Sequence, residues 1–155
     1  MCDKKTSEKY LQEYLMLKNR LEGSRRAVRF LKDQAESTME IIRNTHSDSQ
    51  DGSAGVSPVS DTVSCQIQKA EQNLNALIEE VTLKGFLISS AICKMSLPEK
   101  YSLIPEILLD KYIRGEDDRT IMENRHISKT TYWRWLQIGY ENFEMPDIDG
   151  YVLKD

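Results

Sequence analysis

From Tyr10 to Ile42 the chain places Tyr10, Tyr14, Leu17, Leu21, Ser24, Val28, Leu31, Ala35, Thr38 and Ile42 at alternating steps of four and three residues. A strand repeats every two residues; only a helix brings such positions onto one stripe, and a sustained 3.5-residue repeat is the signature of a helix packed along a partner. No proline interrupts the run, and Gly23 is its only flaw. A second seam of the same rhythm follows: Val63, Ile67, Ala70, Leu74, Leu77, Val81, Lys84, Ile88, Ala91 and Met95. Between them "NTHSDSQDGSAGVSP", residues 44–58, gathers Gly, Ser, Asp and Pro without periodicity and reads as a mobile loop. Asp61 is the expected N-cap of the second helix. Two helices of matching length joined by one loop predict a long antiparallel hairpin, a coiled coil whose arms are roughly 50 Å long at 1.5 Å per residue.

The remaining composition agrees with an all-α chain: 30% of the 155 residues are charged, with only seven glycines and four prolines. No segment nears the ~20 apolar residues of a membrane helix, and "MCDKKTSEKY" lacks the apolar stretch of a signal peptide. A cytoplasmic protein is expected. Cys2, Cys65 and Cys93 are scattered and His46 and His126 lie far apart, so reduced thiols and no metal site are expected. There is no Gly-rich phosphate loop and no nucleophile–base set, so neither an enzyme nor a cofactor is expected. The acids of "GEDD", residues 115–118, read instead as a helix N-terminus, where negative charge meets the dipole. Near its end the second helix becomes apolar over more than one face (Phe86, Leu87, Ile88, Ile92), which calls for another element or a second copy. A homodimer is expected, with Leu17, Leu21, Val28, Leu31, Leu74, Leu77, Val81 and Ile88 as its oligomerisation residues.

"MSLPEKYSLIPE", residues 95–106, breaks the second helix. Ser96 with Glu99 fits a capping box around Pro98, and Ser102 with Pro105 offers a further helix start. A helix to about Arg114 then places Ile104, Leu108 and Tyr112 on one face, with Ile107 and Lys111 beside them, and Gly115 ends it. Asp117 or Asp118 caps a short helix that carries Ile121 and ends near Asn124. Ser128 caps the last helix, which runs to about Phe143. The expected domains are a helical hairpin at 7–95 with its loop at 44–60, a module at 96–144 and an acidic tail at 145–155.

A helix, a glycine, a short helix, a three-residue turn and a longer helix form the layout of a helix-turn-helix with its supporting helix in front. At 100° per residue Tyr132, Trp135, Leu136, Gly139, Tyr140 and Phe143 share the inner face of the last helix. Thr130, Arg134 and Gln137 lie opposite, with Trp133 at the boundary. Arg and Gln pair with purine edges, Thr meets a base or a methyl group, and Lys suits a phosphate. The DNA-contact candidates are therefore Ser128, Lys129, Thr130, Thr131, Trp133, Arg134 and Gln137. The chain as a whole carries −4, so any DNA footprint is local. Arg125, Lys129 and Arg134 form a strip without acids over 125–140, enough for a salt slope of about −3 per copy. Arg25, Arg26, Arg29 and Lys32 read as a solvated flank of the coiled coil.

"LLDKYIRGEDDRTIMENRHISKTTYWRWLQIGYENF" resembles the region 4-like helix-turn-helix of sigma factors, and is more similar still to the phage RinA/ArpU-type transcriptional regulators of Gram-positive bacteria. "KYIRG" and "ISKTTYWR" carry most of the likeness. The resemblance implies a DNA-binding activator of late phage genes that acts on a promoter with host RNA polymerase, in the bacterial cytoplasm, with Lys129, Thr130, Trp133 and Arg134 at the contact positions. Trp133 departs from it, standing where sigma factors usually carry arginine. Two other classes compete: a DNA-packaging subunit of the small-terminase kind, and an adaptor that binds a host or regulatory protein through its hairpin.

Overall fold

The computed structural model describes residues 3–46 and 58–146. Among them there is no strand; five helices, α1 (Lys4–His46), α2 (Pro58–Cys93), α3 (Ile104–Leu108), α4 (Asp118–Arg125) and α5 (Lys129–Asn142), carry the fold. α1 and α2 form the expected hairpin. Every position of the two seams is buried or half-buried, so the 3.5-residue rhythm selects the covered stripe on both arms. Both helices reach further into the connecting segment than composition predicts. Helix propagation is cheap once nucleated, and Pro58 brings a preset φ to the first turn of α2. Residues 47–57 of the expected loop lie outside the described residues, as does the expected tail beyond Pro146. Asp61 stands inside the first turn of α2 and is not its N-cap.

The described residues divide into two compact units, and the division does not follow the expected boundary at residues 95 and 96. It cuts both hairpin arms: one unit holds residues 19–80, the other residues up to 18 and from 81 onward. In the first unit Leu21 and Val28 are buried on the α1 seam, and Lys32 Nζ meets Glu71 Oε1 of α2 at 2.7 Å.

The second unit is built around one core. Leu11 and Tyr14 of α1, Ile88 and Ile92 of α2, Ile104, Ile107 and Leu108 of α3, Tyr112, Ile121 of α4, and Tyr132, Leu136, Tyr140 and Phe143 around α5 pack together. This core answers the apolar excess at the end of α2. Ile88 and Ile92, both 0% exposed, pack in this core with the chain's own C-terminal helices, and Leu87 is buried at 1% exposure. Of that group only Phe86 stays outside, at 63%. Close approach is secured by glycine. A Cβ at Gly85 would stand 2.5 Å from the Tyr14 hydroxyl, and one at Gly139 would stand 3.1 Å from both Ile104 Cγ2 and Leu108 Cδ1. The start of α1 is fastened to the end of α5 by Ser7 Oγ, which donates to the Phe143 carbonyl at 3.5 Å. Lys18 Nζ donates to the Ile113 and Tyr112 carbonyls at 2.6 and 3.3 Å, where orphan carbonyls favour a cation.

Neither expected serine cap before α3 forms. Pro98, extended at ψ 153°, starts only a single 3₁₀ turn at Glu99–Tyr101, and no side chain caps it. α3 begins after Leu103, again without a side-chain cap, and Pro105 in its first turn removes a donor that needs none. After Leu108 the helix continues as one wider turn, Leu109–Ile113, closed by Arg114 N–H to the Leu109 carbonyl at 2.9 Å. Gly115, at φ +71°, then reverses the chain as expected, and Glu116 N–H returns to the Asp110 carbonyl.

Candidate nucleic-acid interface

The local signals for α4 and α5 hold closely. Asp117 is the N-cap of α4, its carboxylate accepting from Thr120 N–H at 2.8 Å. Those hydrogen bonds from Thr120 hold the Asp117 carboxyl below its ordinary value. Ser128 caps α5, its Oγ accepting from Thr131 N–H at 3.2 Å and donating to Thr131 Oγ1 at 2.9 Å. Only His126, Ile127 and Ser128 separate the two helices. The reversal rests on His126 at φ 54°, ψ 48°, with Ile127 N–H returning to the Met122 carbonyl at 3.1 Å.

A left-handed conformation crowds the Cβ of any residue except glycine, at a cost of about 1 kcal/mol. His126→Gly is therefore expected to raise the thermal midpoint, by the equivalent of about 0.5–1 kcal/mol after the glycine's extra unfolded-state entropy is counted. Thermal unfolding followed by circular dichroism reads this; an unchanged or lower midpoint means that the imidazole contributes a contact.

On α5, Tyr132, Leu136, Gly139 and Tyr140 are buried, with Phe143 just beyond the helix end. Trp135, expected among them, is half-buried and packs against the rim of the core. The buried arc is centred between Tyr132 and Leu136, and Trp135 stands roughly 80° from that centre. Trp133 is 42% exposed. Its ring lies edge-on to Tyr132, centroids 5.3 Å apart, with Lys111 Nζ 5.8 Å from its own centroid.

The outward face carries Lys129, Thr130 and Arg134, all exposed, with Gln137 half-buried beside them. Lys129 and Arg134 have no ion-pair partner among the described residues. Ser128 and Thr131 are engaged in the cap, so their side chains serve the helix end before they serve a ligand. The expected positive strip is one cation shorter than sequence implies. Arg125 turns inward, with Nε 3.0 Å from Asp110 Oδ2 and Nη2 3.5 Å from Glu106 Oε2.

That inward turn belongs to a polar network that spacing alone did not reveal. Asp110 is 3% exposed and accepts from both Arg114 and Arg125. Burial pushes its carboxyl up, but the hydrogen bonds and charges of Arg125 and Arg114 outweigh burial and hold it below the usual range. Nearby, Lys111 Nζ meets Asp118 Oδ1 at 2.6 Å, and the same oxygen accepts from the Tyr132 hydroxyl. Tyr112 and Tyr140 share a hydroxyl–hydroxyl bond of 2.6 Å, and burial pushes the Tyr140 phenol up to about 12. The i,i+4 pair Asp110–Arg114 was visible in the sequence as a signal; the reach of Arg125 across fifteen residues was not. These contacts lock α3, α4 and α5 into one arrangement and fix the direction in which the α5 outer face points.

The proposed oligomerisation residues fall inside the fold. Leu17, Leu21, Val28 and Ile88 are buried within the single chain, and Leu31, Leu74, Leu77 and Val81 are half-buried. Among the described residues no group of three or more His, Cys, Asp or Glu is placed to hold a metal ion, and Cys65 and Cys93 are exposed and unbridged. No described helix is long and apolar enough to cross a membrane. No family model matches the chain, and neither a curated protein nor a solved structure matches it.

Proposed function

We propose that this chain is a DNA-binding transcriptional regulator whose α4–turn–α5 segment acts as a helix-turn-helix, with α5 entering the major groove. One observation carries the reading: a three-residue turn joins two capped helices, and the second buries Tyr132, Leu136 and Tyr140 while leaving Lys129, Thr130 and Arg134 exposed, the two cations without an ion-pair partner among the described residues. In this reading Arg134 meets a purine edge, Thr130 a base or a methyl group, and Lys129 a phosphate beside the α5 N-terminus. Gln137 and the exposed edge of Trp133 border the reading face. The resemblance to phage RinA/ArpU-type regulators extends this to activation of late genes together with host RNA polymerase in the bacterial cytoplasm, on a promoter bound by a homodimer.

With Arg125 committed to Asp110 and Glu106, two exposed cations remain on the face, and the expected salt slope falls to about −2 per copy. A single copy binds weakly; two linked copies gain from effective concentration. The test is fluorescence anisotropy of the full chain on labelled duplex DNA between low and moderate salt. Affinity should decline with salt at about that slope, and Arg134→Ala should weaken the preferred sequence about ten-fold or more while the helical content is unchanged. Absence of salt-dependent binding excludes the DNA reading and favours the adaptor. Assembly into rings of many copies favours the packaging subunit.

A further inference from the structure

The covered seam of α1 is not its only uncharged face within residues 19–80. One position before each seam residue from Ser24 to Ile42 lies a second row: Gly23, Ala27, Phe30, Gln34, Ser37 and Ile41, again at steps of four and three. Between Glu22 and Arg43 the helix carries nine charged residues, and none stands on the seam or on this second row. The row runs roughly 27 Å along the helix. α2 covers the first row and leaves the second open. Phe30 is 62% exposed, Ile41 is 65% exposed, and a Cβ built at Gly23 would meet nothing within 4 Å. Single exposed apolar residues are ordinary on any surface. A charge-free row of heptad spacing on a helix this highly charged is a second packing face.

We propose that this face is closed by the same face of a second copy, the two α1 helices running antiparallel about a two-fold axis near Phe30. Charge complementarity names the occupant. The edge of the row away from the seam carries Arg26, Asp33 and Glu40, one every heptad. A two-fold axis perpendicular to the helices sets this edge against itself, and with Phe30 at the axis Arg26 of each copy meets Asp33 of the other. The match is made twice by symmetry. Arg26 and Asp33 are both exposed and neither has an ion-pair partner among the described residues, so both are available. With Phe30 at the axis the two phenyl rings meet each other, and Ala27, one turn before Phe30 in each copy, leaves room beside them. A parallel pair would set the Arg26 edge against the α2 side and lose this match. The proposal stands on the coiled-coil unit alone and does not depend on DNA binding.

Sedimentation equilibrium of the full chain under reducing conditions tests it. The wild-type chain should pass from monomer to dimer in about the micromolar range, as small interfaces do. Phe30→Glu and Ala27→Glu, both at exposed positions, should each keep the chain monomeric with unchanged far-ultraviolet circular dichroism. Arg26→Asp should weaken the dimer about ten-fold, and adding Asp33→Arg to it should restore the affinity. A wild-type chain that stays monomeric overturns the proposal, as does a dimer indifferent to both glutamates. Failure of the charge exchange to restore the dimer overturns the antiparallel pairing.

Discussion

Leu136→Ala will destabilise the C-terminal unit by about 3–5 kcal/mol, the upper range for truncating a fully buried leucine. Leu136 is 0% exposed and sits in the middle of the α5 inner face, one turn after Tyr132 and one before Tyr140. The cost should be high because the walls of the cavity cannot collapse. Gly139 already brings α5 into tight contact with Ile104 and Leu108, and Tyr112 and Tyr140 are pinned through their hydroxyls. A void left there keeps its volume, and the lining atoms lose their contacts. Urea unfolding followed by circular dichroism measures it. A loss under about 1.5 kcal/mol would show that the three C-terminal helices readjust as a soft layer. Because the unit also contains the first turns of α1 and the end of α2, the same substitution should expose the hairpin base to proteolysis.

Asp110→Ala comes next in size, at about 2–3 kcal/mol. It strands two arginines that now share one carboxylate, but both keep part of their surface in water, Arg114 at 49% and Arg125 at 28% exposure, which lowers the penalty below that of a fully buried pair. The same carboxylate gives the protein a defined acid response. Its ionisation is easier in the folded chain than in the unfolded one. It therefore contributes stability in full above the ordinary aspartate range, about pH 4, and loses that contribution as the pH falls through the lower folded value. The thermal midpoint of the wild-type chain should be steady near neutrality and decline below about pH 5. Asp110→Asn should start lower and decline less steeply, since it has no proton to gain. Equal slopes in the two proteins would mean that other carboxylates, Asp117 among them, carry the acid sensitivity. The substitution also releases Arg125 from its Asp110 partner.

The helices and their ends were legible because they follow from short-range physics. A 3.5-residue rhythm leaves no alternative to a long helix at Tyr10–Ile42. Gly115 takes a left-handed turn at no steric cost, and the side chains of Asp117 and Ser128 satisfy amide groups three residues away. The caps expected from Asp61, Ser96 and Ser102 failed for an equally local reason: a proline nearby had already set where the backbone turned. Trp135 is half-buried where full burial was expected, because a wheel shows direction from the axis but not how far the neighbouring helices reach around it.

By itself, then, the sequence determined an all-helical chain, two seamed arms, a three-residue turn between two capped helices and the polar outer face of α5. Tertiary structure alone decided what those faces meet. It spent the apolar end of α2 on the C-terminal helices, drew Arg125 off the surface to Asp110 and left Phe30 and Ile41 uncovered. Periodicity specifies that a face will be buried, since that needs only the helix itself; the partner depends on contacts between residues far apart in the chain, which no local pattern encodes.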